Sequence, residues 1–435
     1  MSERGTASSR KPAVLLIAYH YPPCVGSSGL QRTLAFSRYL PRQGWSPVVL
    51  TCTAGAYAQT SPAQLKDIPA EARVVRAWAR DASRLLNVGG RYPFAATLPD
   101  RWLSWFPHAV WSGVRAARRY GVSCIWSTYP IATAHLIGAA IARLTGLPWV
   151  ADFRDPMVEL DAATGEQFPR EPRLRRARLR VESKVVARAA RLVFCTETAR
   201  RICLERYPQL SASRTCVIQN GYNEELFAEV AGVGVASASA GAPVKLVHSG
   251  TIYPGRDRGP DALFAAIRAL AAREVIRPGG FSLVLRATNC DEHLRGLIEQ
   301  AGIAPFVQLA PAIPYREALA EMLQTTALLV LQGSTSNAAV PAKLYEYLRA
   351  GRPILALTDS AGETAATLER AGGAYLAALD DPAAISERLH ELLRDISVGS
   401  ARRPDAAVVR TFERSEQAAV LAEQLRDVSR TPAVP

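Results

Sequence analysis

No run in this chain is apolar for long enough to cross a bilayer as a helix; Arg, Gly or Pro breaks each one. Met1 to Lys11 is polar and lacks the apolar segment of a secretory signal, so a flexible cytosolic N-terminus is expected. Cysteine is sparse and scattered: Cys24, Cys52, Cys124, Cys195, Cys203, Cys216 and Cys290, with no CxxC pair. An odd set without close spacing argues against a disulfide framework and against a zinc site, and it fits a reduced, intracellular setting. No Walker loop, HExxH stretch, zinc-finger spacing or RNA-binding aromatic signature occurs, and no tandem repeat is visible. Acid is in deficit. Asp and Glu number 39 against 52 Lys and Arg, a formal charge of +13, which calls for an anionic partner. Without a nucleic-acid motif, anionic lipid or a phosphorylated ligand accounts for the charge, and no nucleic acid is expected.

What is present is the rhythm of an α/β protein. The 435 residues are 49% hydrophobic, enough for two separate cores. Ala13 to Ala18 reads as a buried parallel strand, Pro23 to Gly29 as a Gly/Ser turn, Leu30 to Leu40 as a helix closed at Gly44, and Pro47 to Thr51 as the next strand. That is the strand–helix–strand unit of a doubly wound sheet. Further strands are expected at 123–127, 148–152, 192–195 and 215–218, with a helix from about Ala132 to Leu144. Residues 232–243, GVGVASASAGAP, have linker composition. A second series follows at 244–248, 282–286, 307–309, 327–331 and 353–357. The polar stretch from Glu413 has Ala418, Leu421, Leu425 and Val428 at helical spacing. The expected organisation is a first Rossmann-like domain over 12–231, the linker, a second over 244–410, and a helix over 411–430 packing back on the first. Ligands of such sheets bind at the carboxyl ends of the strands.

Several stretches carry groups suited to chemistry. Lys343 to Ala350 reads as a helix with Pro341 near its start, which sets Lys343, Glu346 and Tyr347 on one side. A carboxylate at Glu346 can accept two hydrogen bonds from a diol; the plainer reading pairs it with Lys343 or Arg349. The loop from Ser336 to Val340, with Asn337, precedes this helix, whose N-terminal N–H groups suit a diphosphate. In the first half, Gly26, Ser28 and Gly29 lie in a strand-to-helix turn where backbone can approach a ligand closely. Asp152, Arg154 and Asp155 sit just beyond a buried strand. They can orient an acceptor hydroxyl and take its proton, or form an internal ion-pair network. His20 and His248 each close a strand. Each can bond a ligand or serve structure. Arg170 to Arg191 is a basic amphipathic stretch, suited to anionic lipid or to a solvated helix packed on the sheet. Trp102, Trp105, Phe106 and Trp111 form an aromatic-rich patch, read as acceptor wall, interfacial anchor or core. Asn220-Gly221 suits a turn or hinge.

In order along the chain, Tyr21-Pro22-Pro23 with 26–29 and Arg32, the stretch ADFRDP at 151–156, VIQNGY at 217–222 with Phe227, HSGT at 248–251 and VPAKLYEYLRAGRP at 340–353 resemble the retaining family 4 glycosyltransferases. The DFRDP stretch is similar to the branch that builds bacterial surface polysaccharides. The resemblance implies the GT-B fold, two Rossmann-like domains facing a cleft, with no bound metal ion or other cofactor in the chemistry. It implies a UDP-, GDP- or dTDP-linked sugar donor, a saccharide or lipid-linked acceptor, and a place in the cytoplasm, peripheral at the inner membrane face if the basic helix binds lipid. No DxD stretch is visible, which agrees with metal independence. Glu346 would hold the donor ribose, helped by Asn337, Val340, Gly26, Ser28 and Gly29. Arg154, Asp155 and His20 would face the acceptor, with Asp152 in the catalytic group.

Two positions depart from the family pattern. A first Glu, eight residues ahead of Glu346, is replaced by Ala338, so sugar recognition falls to other groups. The cations expected after the first strand of the second domain come late, as Arg256 with Arg258 as alternate; Lys343 joins them in stabilising the leaving diphosphate. A nucleotide-sugar 2-epimerase of the same fold and a non-catalytic basic membrane-binding protein are the competing readings.

Overall fold

The computed structural model describes residues 11–25, 29–160, 165–231, 243–253 and 259–430. The chain divides into two compact units. The first comprises residues 1–159, 167–219 and 414–435, and the second residues 160–166 and 220–413.

The first unit is built on a seven-stranded parallel sheet. Its members are β1 (Ala13–Ile17), β2 (Ser46–Cys52), β3 (Arg73–Ala77), β4 (Val122–Thr128), β5 (Trp149–Arg154), and, after the two-residue strands β6 (Glu159–Leu160) and β7 (Gln167–Phe168), β8 (Arg191–Phe194) and β9 (Thr215–Val217). Their spatial order is β3-β2-β1-β4-β5-β8-β9. β1 and β5 are buried at every position, because helices cover both faces of a parallel sheet. That burial is why these strands read as unbroken apolar runs. Helix Gly29–Tyr39 follows β1, and a short 3-10 turn leads to Gly44, whose φ of +85° ends it. Helix Arg414–Arg430 belongs to this unit. Its Ala418, Leu421, Ala422, Leu425 and Val428 pack with Leu34, Phe36, Trp126 and Val150. Burying each of the leucines and the valine stabilises by about 1.5–3 kcal/mol.

The second unit holds a six-stranded parallel sheet: β10 (Val244–Ser249), β11 (Phe281–Arg286), β12 (Val307–Ala310), β13 (Ala327–Gln332), β14 (Ile354–Thr358) and β15 (Ala374–Ala377), in the order β12-β11-β10-β13-β14-β15. Two apolar clusters sandwich this sheet. One gathers Leu246, Leu283, Leu329 and Leu355, the other Val247, Val284, Leu328 and Val330. Helix Glu224–Ala231, which the sequence reading assigned to the first domain, packs Leu226, Phe227 and Val230 into the second of these clusters. The second unit therefore begins ahead of the expected linker, of which 232–242 lies outside the described residues.

Strand order locates the candidate sites. In each sheet the order reverses beside the first strand, β1 in one unit and β10 in the other. Adjacent connections leave to opposite faces there and open a crevice at the carboxyl ends.

Candidate functional site

In the second unit the crevice lies at the end of β10. His248 is fully buried, and its Nδ1 stands 3.0 Å from the carbonyl oxygen of Leu329. A carbonyl only accepts, so Nδ1 carries the proton and Nε2 presents a lone pair. That lone pair receives the ammonium of Lys343, at 3.1 Å. Gly250 makes room for this: its φ is +117°, and a Cβ there would stand 3.0 Å from Lys343 Nζ. Two residues on one helix thus reach one strand end, because Tyr347, a turn beyond Lys343, accepts the Ser249 N–H at 2.9 Å. The geometry fixes a cation at the crevice, the placement that favours developing negative charge on a leaving group.

Glu346 lies between them on helix Ala342–Ala350 and is 8% exposed. Its Oε1 accepts the hydroxyl of Tyr315 at 2.5 Å. Tyr315 was not singled out from sequence, and nothing in the local pattern points to it; the pairing joins residues 31 apart in the chain. Arg349, one of the partners considered for Glu346, is instead committed to Glu224 in a two-pronged ion pair. The loop ahead of the helix is held from within. Gln332 donates to the carbonyls of Ser336 and Ala339 at 2.7 and 2.8 Å and accepts from Thr364 at 2.9 Å. Asn337 donates to Asp359 at 2.6 Å, so its amide nitrogen serves the loop. Val340 turns its side chain into the core, which leaves only its backbone for a ligand. Arg256 and Arg258 lie outside the described residues, as do Gly26 and Ser28.

In the first unit the crevice is a recess at the ends of β1 and β4, lined by Tyr19, His20, Gly29, Thr33, Thr128 and Tyr129 among others. Gly29 is the first residue of its helix. His20 is pushed down to about 4, by burial and then by the charge of Arg154, so it stands neutral near pH 7. Asp152 is paired within the unit. Its carboxylate is fully buried and already takes Arg32 Nε at 2.8 Å, Arg32 Nη2 at 3.0 Å and Thr128 Oγ1 at 2.9 Å. Arg32 also donates to the carbonyls of Ile218 and Gln219, each at 2.9 Å. This pair ties the first helix to β5 and to the chain after β9. A carboxylate so engaged holds structure. An ion pair, one of the two readings of 152–155, is present at Asp152, with a partner 120 residues away that the local cluster did not suggest. An Arg among the buried positions of a helix was the available signal. Asp155 is raised by burial, with Arg154 and Arg32 drawing it back down. Trp105 is core, Trp102 is half-buried against Tyr19, and Trp111 is exposed.

Residues 29–221 match the family described as Glycosyl transferase 4-like domain. No curated protein matches the sequence. Among solved structures, sucrose-phosphate synthase from Thermosynechococcus elongatus is 17% identical, with 96% of each chain covered and a TM-score of 0.60. HepE from Anabaena, solved with UDP and glucose, is 14% identical over 96% of this chain and 99% of that one, TM-score 0.63. An α,α-trehalose-phosphate synthase (UDP-forming) from Burkholderia vietnamiensis is 13% identical over 98% and 99%, TM-score 0.63. Identities this low establish the fold, which is the GT-B fold of glycosyltransferases. The expected fold is met, and the matched stretch is consistent with the expected family. The Arg32–Asp152 pair lies inside the matched range. The Lys343–His248 pair and Glu346 lie beyond it, in the second unit.

Proposed function

We propose that the chain is a retaining glycosyltransferase that moves a sugar from a uridine-linked donor to an acceptor hydroxyl in polysaccharide or glycolipid assembly. The observation that carries this reading is the grouping at the end of β10: Lys343 fixed by His248, with Glu346 three residues on along the same helix. Glu346 grips the ribose diol, and Lys343 stabilises the diphosphate as its bond to the sugar breaks. Uridine is favoured over guanosine and thymidine because HepE was solved with UDP. In a front-face reaction the departing phosphate oxygen takes the acceptor proton, so the commitment of Asp152 to Arg32 is no obstacle.

The test is calorimetric titration of the full chain with UDP, GDP and dTDP, followed by product analysis. UDP should bind, and Glu346→Ala should abolish that binding with the fold intact. UDP affinity unchanged by Glu346→Ala would sink the reading. The anomeric configuration of the product, read by NMR, tests retention; a product of unchanged mass would reveal an epimerase.

We also propose that the first unit docks on an anionic bilayer. Trp78, Val88 and Trp111 are 45%, 81% and 61% exposed, and Arg80, Arg84, Arg91 and Arg115 surround them in sequence. Apolar groups beside arginines suit a headgroup boundary. The basic helix Pro172–Arg188 adds exposed Arg173, Arg176, Arg180 and Arg188. Flotation with phosphatidylglycerol vesicles checks this; no binding at low salt would refute it.

A further inference from the structure

We infer that Arg154 and the adjoining recess of the first unit form a subsite for a phosphate carried by the acceptor. The inference rests on the transferase reading for the word acceptor; the anion site itself stands on the geometry of the first unit.

Arg154 is 6% exposed, and its Nε and Nη1 are buried with no hydrogen-bond partner among the described residues. Buried guanidinium groups are ordinarily paired, because the charged form loses its hydration. Arg32, on the neighbouring helix, shows the ordinary case: Asp152 and two carbonyls engage its donors. Arg154 has no such set. The Asp152 carboxylate two residues before it is taken by Arg32 and Thr128.

The backbone at Arg154 is held in place. Its φ is +61°, in the left-handed region that a residue with a Cβ seldom adopts. Its carbonyl accepts the Cys195 N–H at 2.9 Å, and the next residue's N–H turns back to Phe153 at 2.7 Å. A backbone fixed in an uncommon conformation, presenting guanidinium donors without hydrogen-bond partners among the described residues, is the pattern of a preorganised site.

The recess supplies the rest. Thr33 Oγ1 is fully buried, lines the recess and has no hydrogen-bond partner among the described residues. His20 joins the two features: its ring lines the recess, and the charge of Arg154 helps to lower its basicity. The recess sits where the strand order reverses, at the start of the eleven-residue helix Gly29–Tyr39. A buried guanidinium with two unpartnered donors, beside a recess that holds a hydroxyl and a helix N-terminus, suits an oxyanion. The chemical class is a phosphate ester, as on a sugar phosphate or a lipid-linked phosphate. The other source of the same chemistry is the donor diphosphate, and the experiment separates them.

The full chain is titrated calorimetrically with inorganic phosphate, pyrophosphate and UDP, as wild type, Arg154→Gln, Arg154→Lys and Glu346→Ala. Arg154→Gln should weaken phosphate and pyrophosphate by about 10- to 100-fold, the worth of hydrogen bonds to a charged group, with UDP affinity nearly unchanged. Glu346→Ala should do the reverse. Arg154→Lys keeps the charge but loses the fork, so it should weaken phosphate several-fold; it decides the matter if Arg154→Gln does not fold. Absence of phosphate binding to the wild type, or phosphate affinity indifferent to position 154, overturns the subsite. Equal loss of UDP and phosphate in Arg154→Gln assigns the guanidinium to the donor and overturns the acceptor claim. If UDP fails to bind any of the proteins while phosphate follows position 154, the donor reading falls and the anion site stands.

Discussion

The Arg32–Asp152 pair makes the sharpest prediction about stability, because it separates a structural carboxylate from a catalytic one. Arg32 is 5% exposed and Asp152 0%, and two hydrogen bonds of 2.8 and 3.0 Å join them. Asp152→Ala leaves a guanidinium in the interior without the carboxylate it forks onto, and it removes one of the two acceptors of Thr128 Oγ1. Breaking a buried pair from one side costs about 3–5 kcal/mol. Asp152→Asn keeps the volume and one acceptor oxygen. Its loss is that of charge-assisted hydrogen bonding, about 1.5–3 kcal/mol.

The assay is equilibrium unfolding in urea followed by tryptophan fluorescence. All seven tryptophans, Trp45, Trp78, Trp102, Trp105, Trp111, Trp126 and Trp149, lie in the first unit, so the signal reports that unit selectively. Trp149 shares β5 with Asp152. The midpoint shift, multiplied by the slope of the transition, gives the cost directly. A loss below about 1 kcal/mol for Asp152→Ala would refute the reasoning, since exposed pairs are worth that little. A fully stable Asp152→Asn protein without activity would restore the catalytic reading.

Other perturbations have equally definite outcomes. Tyr315→Phe removes the hydroxyl that Glu346 accepts at 2.5 Å; UDP affinity in calorimetry should fall by about tenfold, the worth of one such bond to a charged group, and no change would detach Tyr315 from the site. Gly250→Ala forces a Cβ to 3.0 Å from Lys343 Nζ at a φ of +117°. It should lower thermal stability by about 1–3 kcal/mol and impair turnover, and a neutral result would mean that the loop relaxes freely. His135 is pushed down to about 4 by burial, with Ser127 Oγ 2.7 Å from its Nδ1. The unfolded chain takes up its proton as pH falls below about 6.5, whereas the folded one waits until about 4. Stability contributed by the neutral ring is therefore present above about 6.5 and lost as pH drops towards about 4, by about 1.4 kcal/mol per pH unit per group. His20, lowered similarly, adds to the slope. Urea midpoints at several pH values check this, and His135→Gln should flatten the curve.

The sequence by itself determined the strands with two covered faces, because helices on both sides demand an unbroken apolar run. β1, β2, β4, β5, β10, β11, β13 and β14 were legible for that reason. Of the four edge strands, β9 and β12 were read as well, and β3 and β15 were not. In β3 the run Arg-Val-Val-Arg-Ala mixes charge with apolar residues, since one side of an edge meets solvent. Helix ends at Gly44 and Gly146 were legible because only glycine takes a left-handed φ readily. Tertiary structure decided the partners. The neighbours in sequence of Asp152 suggested a local network, yet the carboxylate belongs to Arg32, and Glu346 meets Tyr315 across 31 positions. Helix Glu224–Ala231 carried no mark of which core would bury it. Periodicity specifies which face of an element is apolar and leaves open which distant group completes a hydrogen bond, because that choice is made only when the crossovers bring strand ends together.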